Sequence, residues 1–331
     1  MPVNVLCIGD VMLDVIARID VAPQKINYGS DTASRISTNG GGAAGNVAAW
    51  LTRTSARSTI VSHVGDDPAG GALTAEFDAL GVAHQNLVIQ GQPSGVVVVL
   101  VDASGERTMF PDKGANSLLQ VSDLPDLAGF QAVYISGYAL LNPLARPGVL
   151  AMIEKIREDG IPIYFDPASV GAMKEVTDKE LHQWFALMNV LLLNEEESIY
   201  LTGSVDIERA LDYLLEYSEV VVIKRGSLGA IAKARGYDSI SVPAIATSVV
   251  DTTGAGDSFA AGFIAAFAAK HDLTAALSAG TELAAGCVAI VGGRPRVGTA
   301  IKPVHLAECP HGNEEGSNDD QGEEGSWSKA W

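Results

Sequence analysis

The sequence predicts an α/β fold, a mostly parallel sheet covered by helices with a small separate sheet added, and three observations carry that expectation. Short apolar runs rich in β-branched residues alternate with longer stretches of helical periodicity. The runs are near-continuous in apolar residues, as expected of strands buried on both faces of a parallel sheet. Two β-rich stretches interrupt the alternation.

In chain order, residues 3–8 form the first strand run, and residues 15–38 follow as a polar stretch without helical periodicity that reads as short irregular strands. A helix is predicted over 46–53, a strand over 58–61 and a helix over 69–80. Residues 96–101, then Asp102-Ala103-Ser104-Gly105, then residues 106–110 read as a β-hairpin with a glycine-containing turn. Further strands are expected at 132–136, 161–165, 190–193 and 220–224, with helices at 147–159, 178–188, 206–217, 256–270 and 273–291. Insertions at about 15–38 and 95–113 are thus expected to build a small sheet of the kind that covers a ligand site. The body is bounded at 1–304, because after about Pro303 the pattern gives way to Gly, Ser, Asn, Asp and Glu. Residues 305–331 read as an acidic, disordered tail, whose two tryptophans leave a binding role open.

With 331 residues, 47% of them apolar, the chain can bury a large core. The formal charge of −18 argues against nucleic-acid and anionic-membrane partners, since no basic patch offsets it. Residues 309–331 hold six acidic side chains against one lysine, which leaves −13 on residues 1–308. An anionic ligand therefore needs local cations or backbone N–H groups. Cys7, Cys287 and Cys309 form no disulfide or zinc spacing, which fits a reducing, cytoplasmic setting. Asp10 and Asp14 interrupt any signal-peptide apolar region, and residues 258–269 are too short to span a bilayer, so a soluble protein is expected.

The sharpest feature is Asp251-Thr252-Thr253-Gly254-Ala255-Gly256-Asp257, which joins a turn permitted only to small residues to an apolar helix. Glycines let backbone approach a phosphate closely, and the free N–H groups of a first helical turn point at it with the positive end of the dipole. Asp257 then lies within reach of a hydroxyl beside a γ-phosphate, placed to accept its proton. An acidic helix N-terminus is also favoured without any chemistry. Two aspartates flanking Thr-Thr-Gly-Ala-Gly exceed what a cap requires.

Four more segments offer ligand contacts. Asn39 to Asn46 matches G-x-G-x-x-G at Gly40, Gly42 and Gly45, but a dinucleotide fingerprint needs a buried strand just before it, and residues 34–38 are polar. Close approach of backbone to a polyhydroxy ligand, with the Asn46 amide donating and accepting, accounts for the same residues. Asp14 follows the first strand and so is expected at the carboxyl end of the sheet, where it could accept sugar hydroxyls or be a solvated turn residue. Asn194 and Glu197 follow another strand and read either as a cap and first-turn acid or as a pair holding magnesium-bound water. Lys224, Arg225, Gly226 and Gly229 read as counter-charges and backbone donors for phosphates, or as a plain strand turn.

Together these segments resemble the ribokinase-like carbohydrate kinase family, also called the phosphofructokinase B type, over roughly residues 3–304. The resemblance implies a doubly wound, mostly parallel sheet flanked by helices, with the insertions forming a small β-sheet lid that often mediates a homodimer. It implies transfer of the γ-phosphate of MgATP to a hydroxyl, mainly a primary one, of a small sugar. Asp257 is then the general base, Gly254, Ala255 and Gly256 the anion hole, and Asp14, Gly41, Gly42 and Asn46 the substrate contacts. Asn194 and Glu197 serve phosphate and magnesium, Glu197 through water, while Lys224, Gly226 and Gly229 line the nucleotide site. Many members also bind a monovalent cation such as K+, here at Asp251 and backbone near Gly292 and Gly293, although residues 291–295 depart from the family's Arg-x-Gly-Ala pattern. No carboxylate stands near Ser136 to Tyr138, where ribokinase itself has an acidic sugar contact, which argues against ribose. A nucleoside kinase, with Tyr138 or Phe110 stacking on a base, stays open, as does a catalytically silent sugar- or nucleotide-binding protein.

Overall fold

The computed structural model describes residues 2–298 apart from Asn86. Among them the apolar runs become a nine-stranded sheet in the order Ile240–Val242, Ala230–Ala234, Val220–Lys224, Val190–Asn194, Ile163–Asp166, Ala132–Ser136, Asn4–Ile8, Arg57–Val61, Ala83–His84. The two strands on the Ile240 side pair antiparallel and the others parallel. Asn4–Ile8 pairs with Arg57–Val61 on one side and Ala132–Ser136 on the other, so the winding reverses there. In open α/β sheets such a switch point opens a ligand crevice at the carboxyl ends of the strands.

Alternate residues of each strand feed two cores, one on each face of the sheet. Val5, Cys7 and Tyr134 face a cluster shared with the helices Ala43–Leu51, Ala255–Lys270 and Leu273–Val288. Leu6, Ile8 and Ile135 face the cluster of Arg146–Glu158, Asp178–Phe185 and Ile207–Leu214. Ala255–Lys270 is buried without interruption from Ser258 to Phe267. It lies against Leu273–Val288 so closely that a methyl on Gly262 would strike the Ala279 carbonyl. That packing fixes the N-terminus of Ala255–Lys270 at the carboxyl end of the sheet.

A second, four-stranded sheet has the order Ser34–Gly41, Met12–Ile19, Gly95–Val101, Arg107–Asp112. The hairpin expected from residues 96–110 is present, with Val98 opposite Phe110. The short irregular strands expected in 15–38 are instead two regular eight-residue strands, Met12–Ile19 and Ser34–Gly41, paired antiparallel throughout. Only the last residues of Ser34–Gly41 are buried, so its sequence lacks the apolar alternation that marks a strand. The helix Glu195–Thr202 was legible only as a cap and first turn. The acidic tail and Cys309 lie outside the described residues.

Candidate active site

The helix Ala255–Lys270 starts on Gly254, whose φ of 77° is left-handed and whose Cα lies against the backbone of Gly293. A side chain at 254 would be both strained and blocked, which explains this glycine. Lys224, the last residue of its strand, brings its ammonium to Gly256, where an added methyl would stand 3.3 Å from Nζ. Helix dipole and lysine together make this end of the helix attractive to anions. The Ala255 N–H donates to the Thr252 carbonyl at 3.2 Å, so it is already engaged within the turn.

Asp257 stands in the first turn, partly accessible, and its Oδ2 accepts a hydrogen bond from Asn46 Nδ2 at 2.8 Å. Its pKa is pushed up to about 7, chiefly because burial disfavours the charged form, with Asp166 and Asp10 adding repulsion while Asn46 and Lys224 oppose the rise. A carboxyl poised near neutrality is suited to take a proton from an alcohol as that alcohol attacks.

Lys224 Nζ also meets Asp166 Oδ2 at 2.5 Å, a pair with 13% and 9% of the side chains exposed. Burial works against the lysine's charge, but Asp166 and Glu197 outweigh it and raise its pKa. Glu197 accepts from the Asn194 backbone at 2.8 Å and side chain at 2.7 Å, and its own N–H returns to Asn194 Oδ1 at 2.8 Å. The capping alternative for this pair is therefore realised. Burial, and then the charge of Asp166, pushes the Glu197 carboxyl up. Among the described residues no group of three or more His, Cys, Asp or Glu forms a metal cage. Oxygen donors of this kind suit a magnesium that keeps its waters and arrives on phosphates.

The comparison with known proteins fits this geometry. The model of the pfkB family carbohydrate kinases matches residues 3–297. The chain belongs to the pfkB family of carbohydrate kinases. It is 33% identical over 265 residues to a fructokinase of Klebsiella pneumoniae, covering 76% of this chain and 84% of that one. It is 29% identical to an ATP-dependent ribose-1-phosphate kinase of Halopiger xanaduensis, covering 88% and 93%. Among solved structures, the adenosine kinase of Sinorhizobium meliloti superposes with a TM-score of 0.78 at 25% identity, covering 89% of this chain and 96% of that one. The doubly wound sheet with its separate small sheet is the fold of this pfkB group.

The substrate contacts that family resemblance implies lie together, with two revisions. Asp14 is not on a turn after the first strand; it is the third residue of Met12–Ile19, in the small sheet. Its pKa is pushed up to about 6, first by burial, with Arg294 opposing and Asp10 and Glu76 adding to the rise. The glycine run was expected to admit a ligand to the backbone, but its missing side chains are replaced by protein. A methyl at Gly41 would meet the Asp14 carboxylate, at Gly42 the Asp10 carbonyl, and at Gly40 or Gly45 the guanidinium of Arg294. The dinucleotide pattern fails as well, because the strand before it pairs antiparallel in the small sheet.

Beyond the strand Val220–Lys224, Gly226 (φ 55°) faces open space, whereas a methyl at Gly229 (φ 88°) would collide with the Val242 carbonyl. Asp251 receives Thr253 N at 3.0 Å, Thr253 Oγ1 at 2.7 Å, Gly292 N at 3.2 Å and Arg107 Nη2 at 2.5 Å. Burial disfavours its charge, but these donors prevail and hold its pKa down at about 2. Sequence reasoning missed Asp166, Arg107 and Arg294. Asp166 carried a usable signal, an acid directly after a buried strand; the two arginines carried none.

Proposed function

We propose that this pfkB kinase transfers the γ-phosphate of MgATP to a primary hydroxyl of a small neutral sugar. The observation that carries the reading is Asp257, held by Asn46 at 2.8 Å, with a pKa of about 7, beside Lys224 at the start of a helix. In this reading Asp257 takes the acceptor's proton while the turn at 254–256 and Lys224 bind the transferring phosphate. Glu197 with Asn194 would hold magnesium through water, and the ion would neutralise phosphate charge there. Asp14 and the second amide N–H of Asn46 bind the acceptor's hydroxyls, while Gly226 and Gly229 shape the nucleotide's edge.

Charge supports a neutral acceptor. Asp14, Glu76 and Asp257 all act on one guanidinium, Arg294, which Glu76 already pairs at 2.6 Å. Lys224 is paired with Asp166 on the phosphate side, and Lys113 lies over the Tyr138 ring at 4.5 Å. One face of that ring is therefore covered, and Phe110 lies on the sheet face opposite to Arg107, which favours a sugar over a base as acceptor.

The small sheet serves as a lid, closing when Arg107 clasps Asp251 and Thr253, and excluding water that would otherwise hydrolyse ATP. Because the guanidinium meets the Asp251 charge, we read K+ as dispensable. The partner we assign to the lid's outer face, where Ile36, Val98 and Phe110 are 60%, 41% and 57% exposed, is a second copy of the chain. The unpaired thiols of Cys7 and Cys287 support a reducing, cytoplasmic setting. An ADP-release screen over pentoses, hexoses, sugar phosphates, inositols and nucleosides tests the reading. A neutral hexose or pentose is expected to lead; silence across the panel would leave a binding protein.

A further inference from the structure

Arg294 is a cation in the body of the protein that the proposed transfer does not use. It is 5% exposed, and its guanidinium is held on every side. Nε donates to Asn46 Oδ1 at 3.2 Å, Nη1 to Glu76 Oε2 at 2.6 Å and Nη2 to the Gly41 carbonyl at 2.6 Å. Its plane lies over the Phe77 ring at 4.7 Å. Space for it exists because residues 40 and 45 are glycine; a methyl at either would strike the guanidinium. A buried charge this fully partnered is an expensive way to pack a core, so its consequence lies in what it orients.

That consequence falls on Asn46. The oxygen and nitrogen of an amide occupy nearly the same volume, and only hydrogen-bond partners decide which end points where. Arginine can only donate, so Nε requires the amide oxygen on its side. Nδ2 is thereby turned to Asp257 Oδ2 at 2.8 Å. With the amide reversed, an oxygen would face the carboxylate, and the base would keep its proton.

We infer that Arg294 is a positioning residue for phosphoryl transfer: through Asn46 it fixes one oxygen of Asp257 and leaves the other for the acceptor hydroxyl. The inference rests on Asp257 being the base. The other groups around that carboxyl are Asp10, Asp166 and Lys224 at strand ends, Tyr134 and Tyr138 from the strand Ala132–Ser136 and the helix after it, and Cys287 from Leu273–Val288. Arg294 also acts on Asp257 directly by charge, so the shift on removing the guanidinium is read against the shift on removing the amide alone, and only a shared, non-additive shift reports on positioning through Asn46.

The test is a carbon-13 NMR titration of the Asp257 carboxyl in the ligand-free protein, assigned by its loss in Asp257→Asn. Arg294→Met is expected to move the midpoint up by about one pH unit, Asn46→Ala to do likewise, and the double variant to move it little further. Arg294→Lys, which keeps a charge without the fixed donor fork, should show part of the shift and serves alone if Arg294→Met does not fold. In kinetics the same variants should shift the acid limb of kcat/KM upward with the KM for ATP unchanged. An unmoved midpoint in a folded Arg294 variant, or shifts of Arg294→Met and Asn46→Ala that add in full, overturns the inference. Failure of the kinase reading would appear separately, as a wild-type protein whose Asp257 titrates as expected but which phosphorylates no acceptor.

Discussion

Arg107 of the small sheet donates Nη2 to Asp251 Oδ1 at 2.5 Å and Nη1 to Thr253 Oγ1 at 2.7 Å, so one side chain joins the small sheet to the loop before the helix Ala255–Lys270. Arg107→Met removes this clasp but leaves Asp251 its bonds from Thr253 and Gly292. The lid should then close less completely. We expect the KM for the acceptor to rise by about tenfold, the energetic equivalent of one charged hydrogen bond, and ATP hydrolysis without acceptor to increase. Wild-type activity should respond less than about twofold to K+, whereas Arg107→Met should gain a K+ response, because Asp251 is left without its guanidinium. Strong K+ activation of the wild type would contradict this.

Asp257→Asn keeps the shape of the side chain and removes the base. Turnover should fall by about 10² to 10⁴-fold, with ATP affinity unchanged, since Lys224 and the helix start are untouched. Steady-state kinetics on the best acceptor, beside nucleotide binding by calorimetry, separates the two effects. Full activity of this variant would remove Asp257 from the mechanism.

In the proposed transfer Asp257 must be ionised to act, and burial pushes its pKa up to about 7, which is where the acid limb is expected. We expect kcat/KM to fall about tenfold per pH unit below pH 7. Stability moves the opposite way. Asp14, at about 6, and Asp257, at about 7, hold their protons more tightly in the folded chain than the unfolded carboxyls do. Their contribution is therefore complete below the unfolded pKa of about 4 and is lost as pH rises through 6 to 7. Asp251 is shifted down, so its contribution fades only as pH falls toward 2. The ligand-free protein should melt at a lower temperature at pH 8 than at pH 6, and Asp14→Asn should reduce that difference.

What the sequence reveals follows from how local each signal is. The strands Ala132–Ser136 and Val220–Lys224 are legible to the residue, because burial on both faces leaves an unbroken apolar run. Gly254 and Asp257 are legible because they lie in one short segment, the left-handed turn and first turn of Ala255–Lys270. Ser34–Gly41 is not, since neither of its faces is apolar for most of its length. Arg294 meets Asn46 across a separation of 248 residues, and Arg107 meets Asp251 across 144, so no local pattern could have joined them. Gly40 and Gly45 are legible as positions of close approach, but what approaches them is the Arg294 guanidinium and not a ligand.

Val98 and Phe110 are cross-strand partners on the lid's outer face, and Ile36 lies on the same face two strands away. If a second copy covers them, Phe110→Glu should convert a dimer to a monomer in light scattering, because a buried unpaired carboxylate opposes association. A wild-type protein that is monomeric at micromolar concentration would end this assignment. Arg107 faces the other way, so the clasp should survive the substitution.

Lys224 and Asp166 offer a test of how the phosphate side is held. The pair is buried and short, so removing one member leaves an uncompensated charge in a poorly solvated site. Lys224→Met should cost about 3 kcal/mol or more of stability, while Lys224→Met with Asp166→Asn should recover much of that loss, since two neutral groups need no ion pairing. ATP binding should not follow stability. Both lack the ammonium beside Gly256, so both should bind ATP more weakly, and the double variant should gain stability over the single one without regaining ATP affinity. Denaturant unfolding and nucleotide titration of the same samples decide this. Should the double variant bind ATP as the wild type does, Lys224 holds Asp166 in place rather than a phosphate, and the positive charge at the anion site would come from the helix alone.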